Sequence, residues 1–186
     1  MPSDSSPSRE RLLAAAQGLF HRYGYTGTSL DHIVAEAGLT KGSFYHHFES
    51  KEALALEVLD WYRHHGAQEL DFAGLDALPS AREALLTLLD RLLQRGHRAL
   101  GEVRVCGCFF GNFALELAST TVSVRARVGA VFDGIVARMT ALITRAQDAG
   151  EVDASRDARA LASALLALAV YVWRSGRPHM VIVGRV

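Results

Sequence analysis

Residues 28–54 read TSLDHIVAEAGLTKGSFYHHFESKEAL, and the fold is decided by how this stretch is punctuated. Thr28 and Asp31 have the capping-box spacing of a helix start, and Leu30, Ile33, Val34 and Ala37 recur at i, i+3, i+4 and i+7, as on one face of a helix. Gly38 ends that helix, because glycine reaches the left-handed conformation of a helix end without steric cost. Thr40 then offers a hydroxyl cap to a very short helix ending near Phe48, and Ser50 caps a longer one running through ALALEVLDWYRHHGAQEL. Two helices meeting across so tight a glycine turn have the form of a helix-turn-helix.

Working outward, Leu12, Ala16, Leu19, Phe20 and Tyr23 form the stripe of a preceding helix that begins at Arg9 and closes at Gly24. The start, MPSDSSPSRE, is polar and proline-spotted, so residues 1–8 are expected to be a flexible tail and not a signal peptide. After the loop DFAGLDALP, Ser80 and Glu83 repeat the capping-box spacing ahead of a leucine-rich helix, and glycines at 96, 101, 107 and 111 are expected to break the helical pattern repeatedly. Two long helices, about 121–149 and 155–175, complete an all-α chain.

Their apolar content exceeds one face each. Val124, Val128, Val131, Phe132, Ile135, Met139, Leu142 and Ile143 cover a wide arc, and the last helix is apolar almost all round. A two-fold homodimer, in which this pair meets its copy as a four-helix bundle, satisfies both; burial of the two helices in a monomer core is the alternative. The run LASALLALAVYVW falls well short of the roughly 20 residues that span a bilayer and reads as a buried helix, so no membrane partner is expected.

The short helix after Gly38 divides by face. Phe44 and Phe48 share one side as core anchors, with Gly42, Ser43 and His46 opposite and Tyr45 and His47 on the flanks. A hydroxyl, an imidazole and a missing side chain together allow close approach and hydrogen bonding to base edges in a major groove. Lys41 and Lys51 are positioned to meet phosphates, Tyr45 suits a phosphate or a thymine methyl, and Thr28 with the amides near it offers a further phosphate site.

The segment RYGYTGTSLDHIVAEAGLTKGSFYHHFESKEAL resembles the N-terminal DNA-binding domain of the TetR family of transcriptional regulators, including the K-G-S-x-Y-x-H-F turn into the recognition helix and the following S-K-E. The resemblance covers roughly residues 9–56. It implies a three-helix helix-turn-helix DNA-binding domain at 9–55 and a larger helical ligand-binding and dimerisation domain at 56–176; the stretch 177–186 that follows reads as a C-terminal tail, a frayed end or an extra dimer contact. It further implies that Lys41, Gly42, Ser43 and His46 face bases while Thr28, Tyr45, His47 and Lys51 contact the backbone. A double-stranded DNA operator and a small-molecule inducer are then the expected partners.

Charge bears on that expectation. The whole chain is formally neutral, and residues 1–60 hold eight acidic side chains against five basic ones, so nonspecific attraction to DNA is weak. This acidity motivates an alternative, a helix-turn-helix interaction module without DNA binding.

In the second half, RVCGCFFGNFALELA gathers two thiols, three phenylalanines, an amide and a carboxylate where glycines loosen packing. Cys108, Phe109, Asn112, Phe113 and Glu116 are the candidate ligand-binding residues, with Asn112 and Glu116 one turn apart; Glu116 alternatively pairs with Arg125 or Arg127. A Gly-Cys pair opening this helix is similar to a TetR branch that responds to thiol-reactive or unsaturated molecules, with Cys108 at the matching position and Cys106 an extra neighbour. A helix N-terminus and the nearby Arg104 both favour thiolate at such a position. Packing is the competing role for either cysteine, and C-x-C with His97 is too sparse for a metal site. Trp61, Tyr62 and Trp173 read as core or dimer packing. No GxSxG, Walker loop, HExxH or dinucleotide fingerprint is present, so neither catalysis nor a cofactor is expected. Two cysteines with a single residue between them, and the polar start, point to a reducing, cytoplasmic setting.

Overall fold

The structure, a computed structural model, describes residues 6–66, 72–100 and 108–175, with side chains described at 6–64, 74–92 and 108–171. Cys106, Arg104, Gly101, Gly107 and the segments 1–5 and 176–186 lie outside the described residues, as do the side chains of His97 and Trp173. Among the described residues every regular element is helical: α1 (Pro7–Tyr23), α2 (Leu30–Glu36), α3 (Lys41–His47), α4 (Lys51–Gly66), α5 (Phe72–Asp76), α6 (Ala81–Leu100), α7 (Phe109–Leu117), α8 (Val122–Asp148) and α9 (Ala158–Ser175). None of them is long and apolar enough to cross a membrane.

The chain forms two compact units, one of Met1–Gly66 with Phe109–Val128 and the other of Ala67–Cys108 with Gly129–Val186. In the first, α1 starts from a Ser6 cap, whose hydroxyl accepts from the Arg9 amide, with Pro7 at the first helical position. The helix therefore begins inside the segment expected to be a flexible tail. It ends at Gly24, as the sequence predicts, with φ 75° and ψ 170°, a region that only glycine enters freely. Leu12, Leu13, Ala16, Leu19 and Phe20 of α1, Ile33 and Val34 of α2, Phe44 of α3, and Leu54, Val58 and Leu59 of α4 are all buried. Each large apolar side chain so removed from water contributes about 1.5–3 kcal/mol.

The turn between α2 and α3 agrees closely with the expectation. Gly38 has φ 61°, and the Leu39 amide donates to the Val34 carbonyl at 2.8 Å, the six-residue closure of a Schellman end. The Thr40 and Ser50 hydroxyls cap α3 and α4 by accepting from Ser43 (3.2 Å) and Ala53 (3.0 Å). The cap of α2 differs from the expectation: Ser29, not Thr28, accepts the His32 amide at 3.1 Å. Thr28 is 1% exposed and its hydroxyl donates instead to the Gly24 carbonyl at 2.7 Å, closing the loop behind the helix.

The second unit packs α6 against α9 and α5, around Leu75, Leu88, Leu92, Met139, Leu142, Ile143 and Leu166. The Ser80 hydroxyl caps α6 by accepting from Glu83 at 3.1 Å. The expected loop at 71–79 contains α5, and α6 runs through Gly96 without interruption, because one glycine weakens a helix by only about 1 kcal/mol. Gly111 likewise lies inside α7. At the α8–α9 turn, Gly150 has φ 71°, and α9 starts at Ala158 behind an Asp157 carboxylate that accepts the Ala160 amide at 2.6 Å.

Candidate nucleic-acid interface and the turn behind it

The seven residues of α3 divide as their spacing predicts. Phe44 is 0% and Phe48 2% exposed, with ring centroids 5.7 Å apart, and they fix the helix to its core. Tyr45 is 59% exposed, Gly42 and His46 are exposed and Ser43 is half-buried. A Cβ placed on Gly42 would meet only the Thr40 hydroxyl, at 3.7 Å, so glycine here leaves open space and no packing need. His47 turns back toward α1, its Nε2 lying 2.8 Å from the Ser8 hydroxyl.

Every basic side chain of residues 1–60 is engaged within the unit. Arg9 pairs with Glu57, Arg22 with Glu36 at 3.4 Å, and Lys41 with Asp31 at 2.7 Å, while Arg11 donates to the Gly38 carbonyl. The Asp31 carboxylate, by hydrogen bond and charge, raises the Lys41 pKa above its ordinary value. Lys51 is inward: its ammonium donates to the carbonyls of Tyr25 (3.0 Å) and Thr28 (2.9 Å) and lies 4.0 Å from the Tyr25 ring centroid. Burial lowers its pKa, with the Glu116 carboxylate opposing that shift. Burial, reinforced by Glu52, raises that of Tyr25.

The Glu116 carboxylate reaches the same turn from α7. It accepts from the Thr26 amide at 2.7 Å and the Tyr25 amide at 3.3 Å. A Cβ on Gly24 would stand 2.3 Å from its Oε1, so the absence of a side chain there makes the approach possible. Neither arginine expected beside Glu116 takes that role: Arg125 donates to the carbonyls of Ala118 and Ser119, and Arg127 pairs with Asp60 at 3.0 Å.

The other candidates of residues 108–113 divide between two environments. Phe109 and Phe113 are each 2% exposed in a chain of rings: Tyr62 to Phe109 at 4.4 Å, Phe109 to Phe113 at 5.1 Å, Phe113 to Phe20 at 5.5 Å and to Tyr25 at 6.2 Å. Cys108 is half-buried and packs against the apolar cluster of the second unit, and Asn112 is half-buried. Tyr62 is half-buried and packs its ring on Phe109 and Phe110. No group of three His, Cys, Asp or Glu side chains suited to a metal ion occurs among the described residues.

Sequence reasoning overlooked Asp31 as the partner of Lys41, and Tyr25 with its neighbours as the seat of Glu116. The first pair spans two helices and the second about 90 residues, so neither leaves a local spacing signal.

The family described as bacterial regulatory proteins, tetR family, matches residues 12–58, and that described as Tetracyclin repressor-like, C-terminal domain, matches residues 81–175. Transcriptional regulator AcuR of Cereibacter sphaeroides is 33% identical over 163 residues, 87% of this chain and 72% of that protein. The HTH-type transcriptional repressor DhaR of a Mycobacterium species is 32% identical over 149 residues, 79% of this chain and 71% of that one. A crystal structure of a regulatory protein TetR from Rhodobacter sphaeroides superposes with a TM-score of 0.78 at 28% identity, covering 93% of this chain and 92% of its own.

Proposed function

The chain belongs to the TetR family of transcriptional regulators, DNA-binding proteins with helical ligand-binding C-terminal domains, and from that premise we propose a homodimeric repressor released from a palindromic operator by a small molecule. The observation that carries this reading is the division of α3 and its C-cap, with Phe44 and Phe48 buried and Gly42, Ser43, Tyr45 and His46 left for a groove. Gly42, Ser43 and His46 read base edges, and Tyr45 and His47 touch the backbone. Lys41 exchanges Asp31 for a phosphate on binding. Thr28 and Lys51 serve the backbone contact indirectly, by holding the turn from which α2 starts.

With every cation of the N-terminal 60 residues already partnered, general attraction is weak and specificity rests on the pair of α3 helices. Dimerisation through α8 and α9 sets their spacing. Leu168 and Tyr171 of α9, 45% and 55% exposed, support that assignment. Ligand binding beside Cys108, which packs against the apolar cluster of the second unit, favours a spacing that no longer matches successive major grooves. A thiol-reactive or unsaturated ligand would use Cys108. The protein acts in the cytoplasm, where its operator is.

The test is salt-dependent binding to the DNA upstream of its own gene. A preference for a palindrome over random sequence of about a thousandfold or more is expected. Equal affinity for both would leave the interaction-module alternative, for which the acidic N-terminal balance argues.

A further inference from the structure

We propose that Glu116 is a positioning residue for DNA reading: together with Lys51 it grips the α1–α2 turn and thereby fixes where the helix-turn-helix presents α3. This rests on the reading of the chain as a DNA-binding regulator and adds to it the element that orients the reading head.

The turn at residues 24–28 carries backbone groups that neither adjoining helix satisfies in full. Charged side chains from two different helices take them. Glu116 of α7 accepts the Tyr25 and Thr26 amides, and Lys51 of α4 donates to the Tyr25 and Thr28 carbonyls. Donors are held from one side and acceptors from the other, so the turn cannot rotate about its own peptide planes without losing a charge-assisted bond. Gly24 completes the arrangement, since its φ of 75° and its lack of a Cβ against Glu116 are both required. Ser29, the cap of α2, comes directly after, so the direction in which α2 leaves the turn, and α3 after it, is set here.

α7 is bound to this unit along its length by Phe109 and Phe113, which stack through Tyr62, Phe20 and Tyr25. A helix from the second half of the sequence therefore moves as part of the DNA-reading unit, and Glu116 is its joint with the turn.

Glu116→Gln keeps the shape, removes the charge and leaves one oxygen for two amides. Its affinity for the operator is expected to fall about tenfold or more, the loss of charge-assisted bonds to an ordered turn. Affinity for random DNA should stay within about twofold, and the salt slope should not change, because Glu116 touches no phosphate. A role in stability alone would not separate specific from nonspecific binding in this way. Glu116→Asp keeps the carboxylate one methylene short and should retain more operator preference than Glu116→Gln. Operator affinity of Glu116→Gln within about twofold of wild type, or equal losses in the two variants, would overturn the proposal. Should Glu116→Gln not fold, amide exchange at Thr26 in Glu116→Asp decides, with faster exchange than wild type expected and unchanged protection fatal. If the wild-type chain itself prefers no palindrome, the regulator reading fails, while the grip on the turn is still read from the Tyr25 and Thr26 amides.

Discussion

Phe113→Ala should destabilise the N-terminal unit from a position far beyond residue 58, where its matched DNA-binding segment ends. The ring is 2% exposed and lies against Phe20, Phe109 and Tyr25 at centroid distances of 5.5, 5.1 and 6.2 Å, the Phe20 contact being edge to face. Truncating so enclosed a phenylalanine costs about 3–5 kcal/mol, of which roughly 0.5–1.5 is the aromatic pairing itself. Against a stability of about 5–15 kcal/mol for an ordinary domain, that is about a fifth of the margin at the least. With Trp173 replaced by phenylalanine, Trp61 of α4 is the sole indole and its fluorescence reports this unit during urea unfolding. At a slope near 2 kcal/mol per molar urea, the midpoint should fall by roughly 2 M. A shift below about 0.5 M would refute the assignment of α7 to the core beneath the helix-turn-helix and return Phe113 to the wall of a ligand cavity.

Gly24→Ala combines a backbone conformation reserved for glycine with a Cβ 2.3 Å from the Glu116 carboxylate, and should lower stability by about 1–3 kcal/mol in thermal unfolding. Lys41→Met should reduce the magnitude of the salt slope of operator binding by about one, as expected of a phosphate contact, whereas Lys51→Met should weaken operator binding with the slope intact, since its ammonium is committed to two carbonyls; salt titrations of both variants check this. Leu168→Arg, placed on the exposed face of α9, should turn a dimer into a monomer in light scattering behind size exclusion. Cys108→Ser should bind operator normally yet lose any release by N-ethylmaleimide, and release that survived the substitution would remove the Cys108 thiol from the mechanism.

Local chemistry was legible in the sequence wherever one residue type answers one backbone need. Gly24 and Gly38 end helices with positive φ, Thr40 and Ser50 cap where predicted, and the facing of Phe44 and Phe48 comes from spacing alone. The register of the α2 cap was not, because Thr28 and Ser29 both carry a hydroxyl and only the buried bond to the Gly24 carbonyl separates them. Gly96 misled for a related reason: in a leucine-rich helix, packing outweighs the propensity of one residue. Lys51 and Glu116 were legible as charged residues in the right segments but not in their direction. A lysine next to a recognition helix reads as a phosphate contact, and nothing in its neighbours announces two carbonyls from a turn 23 and 26 residues earlier.

The N-terminal unit is discontinuous, drawing on Met1–Gly66 and then on Phe109–Val128. Its core is therefore incomplete until the ribosome has made α7, so the nascent helix-turn-helix must wait, with Phe20 and Tyr25 unsheltered, while residues 67–108 are synthesised. The same discontinuity limits exchange between relatives. A chimera joined at residue 66 would carry the reading helix of one regulator and the buried phenylalanines and anchoring carboxylate of another, so the recombining module is the N-terminal segment together with a matched α7.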